Sequence, residues 1–133
     1  MPDLAFRLPA VPESVPAARR ALDRLEGEVD EDRLDVLRLL VSEMVTNSIR
    51  HGPGGEEVDI RLWMGPDAIR LEVEDRGPGF RHPRHQQRPE QRPDNGTGGW
   101  GLTLVDLLAR RWGVRTGRQT AVWLELDRYA RTA

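Results

Sequence analysis

The sequence predicts an α+β fold, a two-layer α/β sandwich whose mixed, mostly antiparallel sheet carries three main helices on one face. Stretches alternating apolar and polar side chains mark strands at Leu4–Leu8, Val58–Met64, Ala68–Glu74 and Thr120–Leu126, with a short partner at 114–116. Stretches with apolar residues at helical spacing lie between them. The order is strand, helix, helix, two strands, helix, two strands. It shows no internal repeat and no linker, so one domain over residues 1–133 is expected.

Each element has a local reason. Leu4-Ala-Phe-Arg-Leu8 is closed by Pro9. From Pro12 to about Glu28, the residues Val15, Ala18, Ala21, Leu22 and Leu25 recur at helical spacing, with Ser14 as candidate N-cap ahead of Pro16 and Gly27 as the stop. Asp30, Glu31 and Asp32 suit the first turn of a second helix, where carboxylates favour the positive end of the dipole. That helix runs to about His51 and stops at Gly52-Pro53-Gly54-Gly55. The turn Gly65-Pro66-Asp67 joins the next two strands into a hairpin. Gly98-Gly-Trp-Gly101 leads into a third helix, Leu102–Trp112, which Gly113 ends, and Gly117-Arg-Gln119 turns the closing hairpin.

Composition excludes several functions. With 133 residues, 38% hydrophobic and 32% charged, the chain is long enough to bury a core beneath a solvated surface. A net charge of −2 offers no basic field, so nucleic acid is not an expected partner. No run approaches the roughly 18 apolar residues of a membrane span, and no signal pattern opens the chain. The lack of cysteine excludes disulfides, thiol nucleophiles and Cys-ligated metals, and fits a cytoplasmic protein. All 20 basic residues are arginine, which leaves no lysine for phosphate binding or Schiff-base chemistry.

Three constellations carry chemistry. In LRLLVSEMVTNSIRHGPGG, Glu43 and Asn47 share one helical row with Arg50 close by, beside the stripe Leu37, Leu40, Val41, Met44, Val45 and Ile49. Such a pair ordinarily decorates a solvated face. This helix, however, is apolar over more than half its circumference from Leu34 onward, and a carboxylate there needs a ligand, a partner or a cavity. Asn47 offers a neutral oxygen suited to Mg²⁺, and Glu43 a proton acceptor.

Asp75-x-Gly77-x-Gly79 follows a strand end. It reads either as a tight turn or as an acceptor for an exocyclic amine, with glycines that admit a planar base. Gly98-Gly-Trp-Gly101 reads either as a flexible loop or as free backbone N–H groups ready for phosphates, and it is not a Walker A motif. Arg81–Thr97 has no large apolar residue and is expected to be loop, either a connector or a lid. Its His82-x-x-His85 has metal-like spacing but sits among prolines, where solvated histidines are the ordinary outcome.

Together these three pieces resemble a known family. Glu43-x-x-x-Asn47-x-x-x-His51, then Asp75-x-Gly77-x-Gly79, then Gly99-x-Gly101-Leu102 are similar to the N, G1 and G2 boxes of the GHKL, or Bergerat-fold, ATPases. Within that superfamily the wording looks most like the small anti-sigma regulatory serine/threonine kinases, and the resemblance covers nearly the whole chain.

The resemblance implies ATP and Mg²⁺ as cofactors, with Asn47 on the metal and His51 completing the N box. Asp75 would take the adenine amino group, Gly77 and Gly79 would shape the base pocket, and Thr120 would support Asp75. Thr97, Gly98, Gly99, Trp100, Gly101 and Leu102 would surround the phosphates, Arg81–Thr97 would be the ATP lid, and Glu43 would be the catalytic base. The implied partners are a sigma factor, an anti-sigma-factor antagonist and a second copy of the chain. In one respect the sequence departs from the pattern: related kinases often carry an arginine where Thr97 stands, so ATP binding is better supported than phosphoryl transfer. The alternatives are a non-catalytic ATP-binding switch module of the same fold and a separate histidine-kinase ATPase domain. The missing phospho-acceptor helix argues against the latter.

Overall fold

The computed structural model describes residues 1–51, 56–75, 102–115, 117 and 119–129, with the His51 side chain outside that set. Five strands, β1 (Leu4–Pro9), β2 (Glu57–Met64), β3 (Ala68–Asp75), β4 (Arg111–Arg115) and β5 (Thr120–Asp127), form one sheet in the order β1-β2-β3-β5-β4. Every pairing is antiparallel, the limit of the mostly antiparallel arrangement expected from sequence. The helices are α1 (Ser14–Ala21), α2 (Glu31–His51) and α3 (Thr103–Leu108).

The strand alternation decides which sheet face is covered. Ile60, Val73 and Val122 stand in one cross-strand row, and Leu62, Leu71 and Leu124 in the next. Both rows are buried, and they join Leu37, Leu40, Val41, Met44 and Val45 of α2, each fully buried, in a single core. Removal of this apolar surface from water is the main force holding α2 on the sheet.

The other sheet face carries charge. Glu72, mid-sheet and 6% exposed, accepts hydrogen bonds from Arg70 at 2.9 Å and Arg115 at 3.2 Å. Glu125 accepts from Arg111 at 2.8 Å, and Asp59 from Arg7 at 2.8 Å. Arginine suits this role, because its planar fork can bridge carboxylates on neighbouring strands.

Two predicted elements differ. The first helix ends at Ala21, and Leu22–Leu25 tightens into a 3-10 turn before Gly27 takes φ +89°. In a 3-10 turn residues three apart eclipse, which buries Leu22 and Leu25 together. Ser14 is not the N-cap but the first helical residue, and its hydroxyl donates to the Pro9 carbonyl at the end of β1.

The third helix is shorter than Leu102–Trp112. It stops at Leu108, Ala109 is extended, and Arg111–Arg115 becomes edge strand β4. The free edge of β5 supplies hydrogen-bond partners that a continued helix would forgo, beginning with Arg110 N–H to the Glu125 carbonyl at 2.7 Å. Gly113 is therefore mid-strand rather than a helix stop. A Cβ there would lie 2.8 Å from the Trp123 ring, so glycine admits the indole. Trp112 keeps its link to the helix layer by donating Nε1–H to Asp106 at 2.9 Å.

Candidate functional site

The candidate site is the end of the sandwich where α2 finishes. Only residues 52–56 separate α2 from β2, a span of at most about 3.5 Å per residue, so the start of β2 lies close to the last turns of α2. Val58, near that start, pairs with Asp75, and Asp75 pairs with Thr120. Antiparallel register thus places the last residue of β3 and the first of β5 beside the start of β2, the strand that follows α2 in the chain.

Asp75 alternates with Ile69, Leu71 and Val73, and so faces the helix layer rather than the charged sheet face. It is 7% exposed and Thr120 8% exposed. Directly opposed residues on neighbouring strands share a face, so the carboxylate and the hydroxyl stand together. The resemblance implied that Thr120 supports Asp75, and the register sets the two side by side.

On α2, Asn47 is 5% exposed, and its amide oxygen is fully buried with no hydrogen-bond partner among the described residues. A buried acceptor left unpaired is costly, so this oxygen is available to a donor or a cation. Glu43, one turn earlier, is half-buried. Burial raises its carboxyl above the ordinary range, and the Arg50 charge lowers it in part. Of the two polar residues at the edge of the apolar stripe, Asn47 is turned away from bulk solvent and Glu43 partly so.

The donor chemistry fits the cofactors. Mg²⁺ takes hard oxygens and keeps several waters, so one buried amide oxygen can anchor it without a multi-carboxylate cage. No cluster of three or more potential metal-ligating His, Cys, Asp or Glu side chains occurs among the described residues.

The remaining expectations divide. Leu102 is 2% exposed and packs its side chain into the core, which leaves only its backbone to meet a ligand. Backbone of His51 ends α2. Gly77, Gly79, Thr97, Gly98, Gly99, Trp100, Gly101 and the lid at Arg81–Thr97, with His82 and His85, lie outside the described residues.

The sequence reading missed one side chain. Ser48 follows Met44 by four positions and Val45 by three, within the sheet-facing stripe, and its hydroxyl is buried without a partner. A polar residue inside an apolar helical stripe was the available signal.

The histidine kinase-like ATPase domain signature matches residues 8–126. The chain is similar to the serine-protein kinase RsbW of Bacillus velezensis, 29% identical over 116 residues that cover 79% of this chain and 72% of that protein. RsbW of Listeria monocytogenes is 28% identical over 116 residues, covering 79% and 74%. The sensor protein BasS of Salmonella typhimurium is 38% identical over 71 residues, 52% of this chain and 20% of that protein. With the signature spanning all five strands in whole or part and all three helices, the chain belongs to the histidine kinase-like ATPase domain family.

Proposed function

We propose that this chain is an ATP-dependent protein serine/threonine kinase and anti-sigma factor, which sequesters a sigma factor and phosphorylates an anti-sigma-factor antagonist. The observation that carries the proposal is the buried, unpartnered Asn47 amide oxygen, one turn from a Glu43 whose proton affinity burial has raised. The family match and the similarity to serine-protein kinases supply the nucleotide and the reaction class.

In this reading Asn47 holds Mg²⁺ through its amide oxygen, and Asp75, steadied by Thr120, accepts the adenine amino group. Gly77 and Gly79 give the base room, while Thr97, Gly98, Gly99, Trp100 and Gly101, with the Leu102 backbone, border the phosphates, and His51 closes the helix end. Bound ATP would supply the phosphoryl group and leave as ADP, and Mg²⁺ would neutralise charge on the phosphates. Glu43 takes the proton of the attacking serine hydroxyl. A carboxyl raised toward neutrality is better matched to that transfer than an ordinary surface glutamate. Low exposure at Asn47, Asp75 and Thr120 keeps bulk water from the bound groups. The assembly is a homodimer in the cytoplasm. Among the described residues, no helix is long and apolar enough to cross a membrane.

The test is incubation with γ-labelled ATP and candidate antagonist proteins, with ADP affinity measured in parallel. Label is expected on an antagonist serine or threonine, and Glu43→Ala is expected to abolish transfer while ADP binding persists. Binding of both nucleotide and antagonist without any transferred label overturns the kinase reading in favour of a non-catalytic switch module, the alternative favoured by Thr97 at the usual arginine position.

A further inference from the structure

Among the described residues, α2 leaves one large hydrophobic side chain exposed, Leu39, at 44%. A lone surface leucine is ordinary in itself, and its place on the helix is what gives it meaning. Leu39, Glu43 and Asn47 stand four apart and form one ridge along α2, each step advancing about 6 Å and turning about 40°. Burial deepens steadily along that ridge. Leu39 is exposed, Glu43 is half-buried, and Asn47 is only 5% exposed. The ridge thus descends from solvent into the protein, and the two residues employed by the kinase reading form its lower part.

This order limits what can cover Leu39. In the kinase reading the phosphates sit at the buried end with Asn47, and the attacking serine hydroxyl meets Glu43 further out. The nucleotide is then confined to one side of Glu43, and a protein substrate arrives from the other, across Leu39. The spacing suits an extended chain. Residues two apart on an extended segment point to the same side and lie about 6–7 Å from each other, close to the interval between Leu39 and Glu43. We infer that Leu39 is a docking residue for the protein substrate, receiving an apolar side chain two positions from the acceptor serine on an extended segment laid along the ridge. Removal of both apolar surfaces from water holds the segment, and the leucine sets which residue reaches Glu43. The inference rests on the kinase reading above.

Leu39→Gln keeps a good helix former at an exposed position, so the melting temperature and ADP affinity of the variant are expected to match those of the unsubstituted chain. The probe is an antagonist protein that takes label from the unsubstituted chain, with its acceptor serine located by mass spectrometry. Its KM is expected to rise about three- to tenfold with the variant, the loss of one partial leucine contact. Alanine in place of the antagonist's apolar residue two positions from the acceptor should raise KM similarly, and the two changes together should cost little more than either alone. An unchanged KM with Leu39→Gln overturns the inference, as does full addition of the two losses, which places the side chains apart. A matching loss of ADP affinity assigns Leu39 to the nucleotide site and overturns the docking role. Weakened self-association in sedimentation, with KM unchanged, assigns Leu39 to a second copy of the chain and also overturns it. An antagonist that binds the unsubstituted chain with nucleotide but takes no label overturns the kinase reading itself, and this inference with it.

Discussion

Gly113→Ala is expected to destabilise the chain by about 1–2 kcal/mol, although alanine for glycine inside a strand ordinarily helps. The ordinary gain, about 0.4–1 kcal/mol, comes from restricting the unfolded chain. Here the new Cβ would lie 2.8 Å from Trp123 Cζ2 and Nε1 and 2.9 Å from Cε2. These are atoms of a rigid ring, not the end of a flexible side chain. Arg70 lies over the ring, 4.6 Å from its centroid, and is itself held by Glu72 at 2.9 Å, so the indole has little room to withdraw. Overpacking of this kind costs about 1–3 kcal/mol, which outweighs the entropic gain.

Urea unfolding followed by circular dichroism measures the effect, and a double-mutant cycle with Trp123→Leu isolates its cause. Once the ring is gone, Gly113→Ala should turn neutral or stabilising, a coupling of about 2 kcal/mol. An equal loss in both backgrounds would refute the close approach. That result would instead suit a glycine ending a helix, where the cost of about 1 kcal/mol is local and independent of Trp123.

Two further outcomes follow from the buried acids. Asp75→Asn should leave the fold intact and weaken ADP binding roughly 10- to 150-fold, the worth of a hydrogen bond to a charged group, as read by calorimetry; unchanged affinity would mean the base is held elsewhere. At Glu72 burial pushes the carboxyl up, but hydrogen bonds from Arg115 and Arg70 more than offset this and hold it below the ordinary carboxylate range. Its contribution is therefore present above that range and is lost as pH falls through the depressed value. Glu72→Gln should lower stability by about 1 kcal/mol at neutral pH, the partners being one-third to one-half exposed, and the gap should close on acidification. A gap that widens in acid would refute the assignment.

Local pattern made much of the molecule legible in the sequence. The α2 span, the Gly65-Pro66-Asp67 hairpin and the alternation of β2, β3 and β5 depend on neighbours a few residues apart, so periodicity and turn chemistry suffice. Glu43 and Asn47 were visible for the same reason: one helical row, set against an apolar stripe. The order of the three motifs placed them in one family, which the match over residues 8–126 supports.

Tertiary structure decided what depends on partners distant in sequence. Arg110 to Val114 fits a helix or a strand by its own residues, and the open edge of β5 selected the strand. Gly113 took its meaning from Trp123, and Thr120 took its place from Asp75 across the β3–β5 pairing. Whether the polar atoms of Asn47 and Ser48 meet a hydrogen-bond partner is also invisible in a helical wheel, because it depends on what the sheet offers at that height. Periodicity assigns a side chain to a face; only packing reveals whether the polar atom there has been given a partner.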